Sequence, residues 1–317
     1  MSALRGLELR KAYATTVEQI FHEHPRQVYA LEADLSSSMG TQGLRDVMGA
    51  HYLDVGIMEA HMVATAAGLN VVGGYAYVHS FGQFLTRRAM DQIFVSLAYA
   101  KLSACLVGSD AGVTAEHNGG THMTFEDMGI VRLIPGIHVY DLCSPVQMGY
   151  VLRQARERGG LTYVRTQRKK AELDVYPDGT DFGDSGARVL REGTDVSILA
   201  CGIEVPEALV AADQLAEHGI SAEVVDVFRV KPLDEDVLLA SVRKTGAVVT
   251  AENHNVQNGL GSAVAELLGE RLPTPMRRVG IREQFGQVGT TRYLMEQYGI
   301  DATGMVDAVT AVLGRKA

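Results

Sequence analysis

Cysteine is scarce in this chain of 317 residues: there are three, Cys105, Cys143 and Cys201, each beside or within an apolar run and none in a C-x-x-C pair. No disulfide framework is expected, and the thiols read as buried, reduced groups of a cytoplasmic protein. Positive charge is also short. A net charge of −9 argues against a phosphate-backbone binder, because nucleic-acid affinity comes largely from clustered Lys and Arg. The small patches Arg87-Arg88 and Arg168-Lys169-Lys170 remain compatible with a small phosphorylated ligand. No apolar run approaches membrane-spanning length, and the opening "MSALRGLELRKAY" lacks the apolar core of a signal peptide, so no membrane partner is expected. The absence of GxxxxGK[ST] excludes a P-loop nucleotide enzyme, and nothing is low-complexity.

What is present is alternation. At 46% hydrophobic residues the chain can bury one or two ordinary cores, and its length suits two α/β domains. "LELRKAYATTVEQIFHEH" places Leu9, Tyr13, Val17, Ile20 and Phe21 close to a helical period. "QVYAL" then reads as a strand and "ADLSSSMGT" as loop. "MEAHMVATAAGLN" and "QFLTRRAMDQIFVSLAYA" read as helices, and "KLSACLVG" as a strand ending in the glycine-rich "SDAGVTAEHNGGTHM". Ser144, Pro145 and Gln147 form an expected N-cap, first-turn proline and capping-box partner. "LTYVRTQR" closes the first half, and residues 171–190, rich in acids and glycine, read as a linker. The second half restarts with strand "DVSILACG", helix "VPEALVAADQLAEHG" and strand "AEVVDVFRV". It ends with helix "GLGSAVAELLGERL" and strand "MRRVGI". Strands alternating with helices at this spacing predict two doubly wound, mostly parallel sheets in series.

Gly259-Leu-Gly261 superficially resembles a dinucleotide fingerprint, but it comes late, lacks the third glycine and has no acid at the right distance. A turn at the start of a helix is the better reading. Glu116, His117, His122 and Glu126 match no familiar zinc spacing, so no metal site is expected there. His117 and His122 fit polar substrate contacts, with solvated loop histidines as the alternative. Glu59, in "DVGIMEAHM", admits two readings of equal weight. A carboxylate in a first helical turn is favoured by the macrodipole. A carboxyl held out of water among Ile57, Met58 and packed alanines is instead placed to carry a proton.

"DVGIMEAHMVATAAGL" followed by "YVHSFGQFLTRRAMDQI" resembles the pyrimidine-binding domain of thiamine-diphosphate enzymes, transketolases in particular. "LRKAYATT", "EADLSSSMGT", "GVTAEHNGGTHMTFEDMGIVRLIPGIHVYDLCSP" and "TYVRTQR" continue the likeness through that domain. The second half, through "GIREQFGQVGTTRYLMEQYGI", resembles the transketolase C-terminal domain. The resemblance implies a pyrimidine-binding domain over 1–170 and a transketolase C-terminal domain over 191–317. The GDG motif of the diphosphate-binding half of such enzymes does not occur. The resemblance therefore implies the C-terminal subunit of a split transketolase, inactive alone. A separate N-terminal subunit would hold the diphosphate and Mg²⁺ or Ca²⁺, with two chains of each kind in a heterotetramer that includes a homodimer contact.

By the same resemblance Glu59 hydrogen-bonds the aminopyrimidine of thiamine diphosphate and favours the tautomer that removes the thiazolium proton. Phe81 and Phe84 flank that ring, where stacking is the alternative to a plain core role. Arg10, Ser38 and Arg165 would grip a sugar phosphate, His122 would touch a substrate hydroxyl, and Arg87 and Gln92 take no direct role. Two positions depart from the pattern. Asn118 stands where transketolases usually carry Asp, and Asp110 where they often carry His. An amide donates where a carboxylate cannot, and Asp110 would repel a phosphate unless another group intervened. A ketose phosphate outside the common pentose set, such as a branched sugar, is the expected substrate. The beta subunit of a 2-oxoacid dehydrogenase, a 1-deoxyxylulose-phosphate synthase fragment and a non-catalytic scaffold are the competing readings.

Overall fold

The structure, a computed structural model, describes residues 3–315. It contains two compact units, one running to Ala111 and resuming over Ile130–Asp181, the other made of Gly112–Gly129 with the chain from Phe182 onward. The elements of the first half are α1 (Leu9–Glu23), β1 (Val28–Glu32), α2 (Ser36–Met39), α3 (Leu44–Met48), β2 (Tyr52–Asp54), α4 (Glu59–Val71) and β3 (Tyr75–Phe81). After them come α5 (Ala89–Gln92), β4 (Ala104–Ser109), α6 (Asp127–Arg132), β5 (His138–Asp141), α7 (Pro145–Arg158) and β6 (Leu161–Arg165).

The helical period of α1 is the one its sequence predicts, and Leu9, Tyr13, Val17, Ile20 and Phe21 are all buried. At the start of α7 the Ser144 hydroxyl accepts from the Val146 N–H at 3.1 Å behind Pro145. Gln147 reaches one residue further than a capping box requires, taking the Cys143 N–H at 3.0 Å. The first unit's own strands pair in parallel in the order β5-β6-β4-β3-β1-β2. Every residue of β3, β4 and β6 is buried, as expected of a parallel sheet covered on both faces.

Two stretches differ from their expected form. "SSSM" is a short helix rather than loop. The long helix expected after β3 is wound as π turns over Phe84–Arg88 and Ile93–Tyr99, on either side of α5. At its start the Thr86 hydroxyl donates to the Gly82 carbonyl at 2.7 Å, occupying the acceptor that an α-helical N–H of Thr86 uses.

The second unit carries β7 (Arg188–Arg191), β8 (Val196–Ala200), α8 (Glu204–Glu217), β9 (Ala222–Asp226), β10 (Arg229–Lys231), α9 (Glu235–Thr245) and β11 (Val248–Asn255). It closes with α10 (Leu260–Arg271), β12 (Met276–Ile281), α11 (Thr291–Tyr298) and α12 (Ala302–Leu313). Its sheet order is β12-β11-β8-β9-β7, parallel except for β7. The alternation read from sequence ends at β12, and α11 and α12 lie beyond it. Yet α12 shows the usual signal: Asp301 caps the Gly304 N–H at 3.1 Å, and Ala302, Met305, Val309 and Val312 are buried at helical spacing.

Gly259 and Gly261 serve an internal anion. The buried Glu252 carboxylate accepts from the Leu260 and Gly261 N–H groups at 2.7 and 2.9 Å, and a Cβ on Gly259 would sit 1.9 Å from it. The start of α10 is thus filled by a side chain rather than by a dinucleotide. Among the described residues no helix is long and apolar enough to cross a membrane.

Glu252→Ala is expected to destabilise the chain by about 3 kcal/mol, because two buried N–H groups lose a charged acceptor. Urea denaturation measures it. None of the three cysteines is in a disulfide and all are buried, and burial pushes the Cys105 thiol far above its ordinary range. A thiol reagent should label none of them until the chain unfolds; fast labelling of the native protein would contradict this.

Candidate active site

Strand order reverses between β1 and β3: β1 leads outward to β2, and the chain then returns to β3 on its other side. Doubly wound sheets take ligands at the carboxyl ends of strands beside such a reversal. Three of those ends are tied by a buried relay. Glu32 closes β1, His79 lies in β3 opposite it in register, and Ser109 closes β4. Glu32 Oε2 lies 2.7 Å from His79 Nδ1, His79 Nε2 lies 2.9 Å from Ser109 Oγ, and Thr41 Oγ1 donates to Glu32 Oε1 at 2.7 Å. With an ionised carboxylate as acceptor, Nδ1 carries the ring proton and Nε2 accepts from the serine. Serine, histidine and glutamate are all out of reach of solvent.

Strand register also places the two residues after His79. Ser80 and Phe81 fall on opposite faces of β3. On one face Ser80 Oγ donates to Glu59 Oε1 at 3.2 Å. Glu59 opens α4, is 1% exposed, and its Oε2 accepts from Arg88 Nη1 at 2.6 Å. The first-turn position and the enclosed position are therefore the same position. Its expected apolar walls are absent, however: Ile57 and Met58 are 67% and 51% exposed. The chain turns through Gly56 at φ 74°, which puts residues 57 and 58 on an outer corner and makes Glu59 the first to face the sheet. The acid is enclosed by β3 and the π turn instead of by its sequence neighbours.

Arg88 also lies 4.5 Å above the Phe84 ring, and Phe84 lies 6.1 Å from Phe81. Between those phenylalanines in sequence, Gln83 is fully buried with neither amide atom hydrogen-bonded. A buried amide without partners is costly and suits a site that a polar ring completes.

On the other face Arg168 lies 5.7 Å from the Phe81 ring and donates from Nε to Asp110 Oδ1 at 2.5 Å. The Arg10 N–H donates to the Arg168 carbonyl at 3.2 Å, its Nε to Glu8 at 2.8 Å, and its Nη1 to the Ser38 carbonyl at 3.4 Å. Arg10 and Ser38 are thus brought together, though through the Ser38 backbone. Arg165, expected beside them in an open clamp, is 1% exposed and closed against Asp141 at 3.1 Å. The β6 alternation turns it inward, and Arg168 is the arginine of that segment left partly exposed. The intervening group that Asp110 requires is Arg168.

Asn118 and His122 belong to the second unit. Asn118 is exposed, and His122 Nδ1 lies 3.0 Å from Thr121 Oγ1. Their loop is held within that unit. The Val113 N–H donates to Asn253 Oδ1 at 3.0 Å, and Thr291 donates to Glu116 from N and Oγ1 at 3.2 and 2.7 Å. Gly120 packs so close that a Cβ would meet the Gly286 carbonyl at 2.1 Å. Among the described residues no three His, Cys, Asp or Glu side chains gather as a metal site. Ser80, Gln83, Arg88 and Arg168 carry no individual signal in the sequence, although the basic doublet and triplet contain both arginines.

A buried acid at a helix start, aromatic rings beside it and an arginine-lined edge are gathered at the carboxyl ends of a doubly wound α/β sheet, the place where such proteins take ligands. The transketolase pyrimidine-binding domain family matches residues 5–172, and the transketolase C-terminal domain family matches 185–305. The 6-deoxy-6-sulfo-D-fructose transketolase subunit of Clostridium sp. (strain MSTE9) is 46% identical over 97% of this chain and 95% of its own length. An apulose-4-phosphate transketolase subunit of Phocaeicola vulgatus is 30% identical over 93% of this chain and 94% of its own. A solved split-gene transketolase, an inactive beta4 tetramer, superposes with a TM-score of 0.91 at 36% identity, covering 98% of this chain and 100% of that one. The chain belongs to the transketolase family. Within it the chain is one subunit of a split, heteromeric transketolase, and its pyrimidine-binding domain implies use of thiamine diphosphate.

Replacing His79 with Ala should cost about 3 kcal/mol, since the buried Glu32 carboxylate would keep Thr41 but lose its other donor, and Ser109 would lose its acceptor. Urea denaturation reads the loss, and Glu32→Gln, which keeps a hydrogen-bonding group, should cost less.

Proposed function

We propose that this subunit, joined to a separate diphosphate-binding subunit, transfers a two-carbon ketol unit between sugars that carry a terminal oxyanion group. The buried Glu59, fixed between Ser80 and Arg88 beside Phe84, is the observation that carries this reading. Phe81, Phe84 and Gln83 suit an aminopyrimidine: two ring faces and one amide lacking a partner. Glu59 would hold a proton at its carboxylate toward a ring nitrogen, with Ser80 keeping Oε1 in place. When bound, thiamine diphosphate supplies the carbon nucleophile for ketol transfer, while Mg²⁺ or Ca²⁺ would be held mainly by the partner subunit.

Arg10, Ser38 and Arg168 would receive the anionic end of the sugar. Arg165 drops out of that set because Asp141 already holds it. The relatives act on a sulfonated ketose and a sugar phosphate by their names, which supports a donor outside the common pentose phosphates. The inactive beta4 assembly of the solved relative supports a chain that self-associates and needs its partner for activity, in a heterotetramer of two chains of each kind. Exposed Ile57 and Met58 beside Glu59 supply apolar surface for that partner.

The test mixes this chain with the diphosphate-binding subunit, thiamine diphosphate and Mg²⁺ and follows ketol transfer. Glu59→Ala should lower kcat by about 100-fold or more, the range lost with a positioned acid–base group. Undiminished turnover would overturn the role assigned to Glu59.

A further inference from the structure

In the second unit β12 ends its sheet, and α12 packs beside it. Between them lies a cleft of about 350 Å³ bordered by Arg277, Arg282, Tyr298 and Asp307. Two guanidiniums reach it without a carboxylate to hold them. Arg277 is partly buried, and its Nε is out of water with no hydrogen bond among the described residues. Arg282 is exposed and donates from Nη2 to the Arg278 carbonyl at 2.7 Å, which ties it to the strand and leaves most of its donors unspent. Arg278 turns its own head away: Nη1 donates to the Val256 carbonyl at 2.8 Å, and its stem lies against Gly261. Arg10, Arg88, Arg165 and Arg168 of the first unit, by contrast, each meet a carboxylate. The acid lining this cleft, Asp307, is exposed and is ion-paired to neither arginine among the described residues.

We infer that this cleft is a second ligand site, one that takes the phosphate group of a small organic phosphate ester on Arg277 and Arg282. A buried N–H without an acceptor is costly, and a phosphate oxygen would remove that cost at Arg277. The planar guanidinium presents paired donors that match phosphate oxygens, so two of them give directed contacts as well as charge. The other walls are apolar. Val279, Ala308 and Ala311 line the cleft, and the Tyr298 hydroxyl is spent on the Phe285 carbonyl at 3.0 Å, which leaves its ring as contact surface. The volume lies near the lower end of the range for small-molecule pockets, about 300–1,000 Å³, so a phosphate carrying one small ring fits better than a dinucleotide. Asp307 opposes such an anion, which fixes the sign of its effect. The site lies wholly within the second unit, which holds neither Glu59 nor Arg168.

The experiment titrates the full chain by calorimetry with phenyl phosphate and with inorganic phosphate. Phenyl phosphate should bind saturably and more tightly than inorganic phosphate, because its ring meets the apolar walls. Arg277→Ala should weaken it by about tenfold or more, the loss of a charge-assisted hydrogen bond. Arg282→Ala, at an exposed position, should act in the same direction and carries the test if the Arg277 variant fails to fold. Asp307→Asn should tighten binding by about threefold, as loss of an opposing charge requires. Arg168→Ala, which removes the partly exposed arginine of the first unit, should leave this binding in place and separates the two sites. Absence of saturable binding, or an affinity unmoved by Arg277→Ala and Arg282→Ala, overturns the inference. Equal affinity for the two probes would indicate an adventitious ion only and overturns it as well.

Discussion

The parallel register of β1, β3 and β4 is the constraint on which the first unit's chemistry depends. It pairs Glu32 with His79 and sets Ser109 two residues beyond Val107, the β4 partner of His79, and their relay closes only in that register. A slip of one residue would turn His79 to the opposite face, break two buried hydrogen bonds and strand a carboxylate. The residues after His79 inherit their placement. Ser80 can reach Glu59 and Phe81 can face Arg168 because the relay holds the strand end beneath them. A polar network within an apolar sheet thus acts as a locator for groups that must be held with little slack.

The edge of this sheet has two electrostatic characters, divided by β3. On the α4 face a single acid meets one arginine and one hydroxyl. On the α1 face arginines come already paired with acids. Phe81 adjoins both, through Phe84 on one side and Arg168 on the other. The acid–hydroxyl set and the arginine–carboxylate set are kept apart by one strand's alternation, so either can change without re-siting the other.

Much of this was legible in the sequence. The α1 stripe, the α7 cap and the strands alternating with helices rest on local chemistry that spacing reports. Glu59 was visible as a helix-start acid in an enclosed setting, but its surroundings were assigned to the wrong residues. Ile57 and Met58 lie next to it in sequence, whereas Ser80 and Arg88 enclose it across 21 and 29 positions. The π winding was hidden for a related reason: Thr86 diverts one carbonyl, and the helical period of the apolar residues survives the change. Arg165 and Arg168 stand three apart in one basic run, and only the end of β6 decides which of them is turned inward. Residues 112–129 group with the second unit through Asn253, Thr291 and Gly286, contacts far away in the chain that no change of composition marks.

Arg88 gives the subunit a property suited to life as half of an enzyme. An acid as deeply enclosed as Glu59 is poorly solvated, in the electrostatic sense, unless a donor stands beside it. Arg88 keeps it company on the oxygen that Ser80 leaves open and covers the ring face of Phe84 as well. Its own stem and head remain nearly half in water, so the placeholder is tethered loosely and can leave without unfolding anything. The chain can therefore wait, folded and charge-neutral at its most exacting spot, for the components that arrive with another polypeptide.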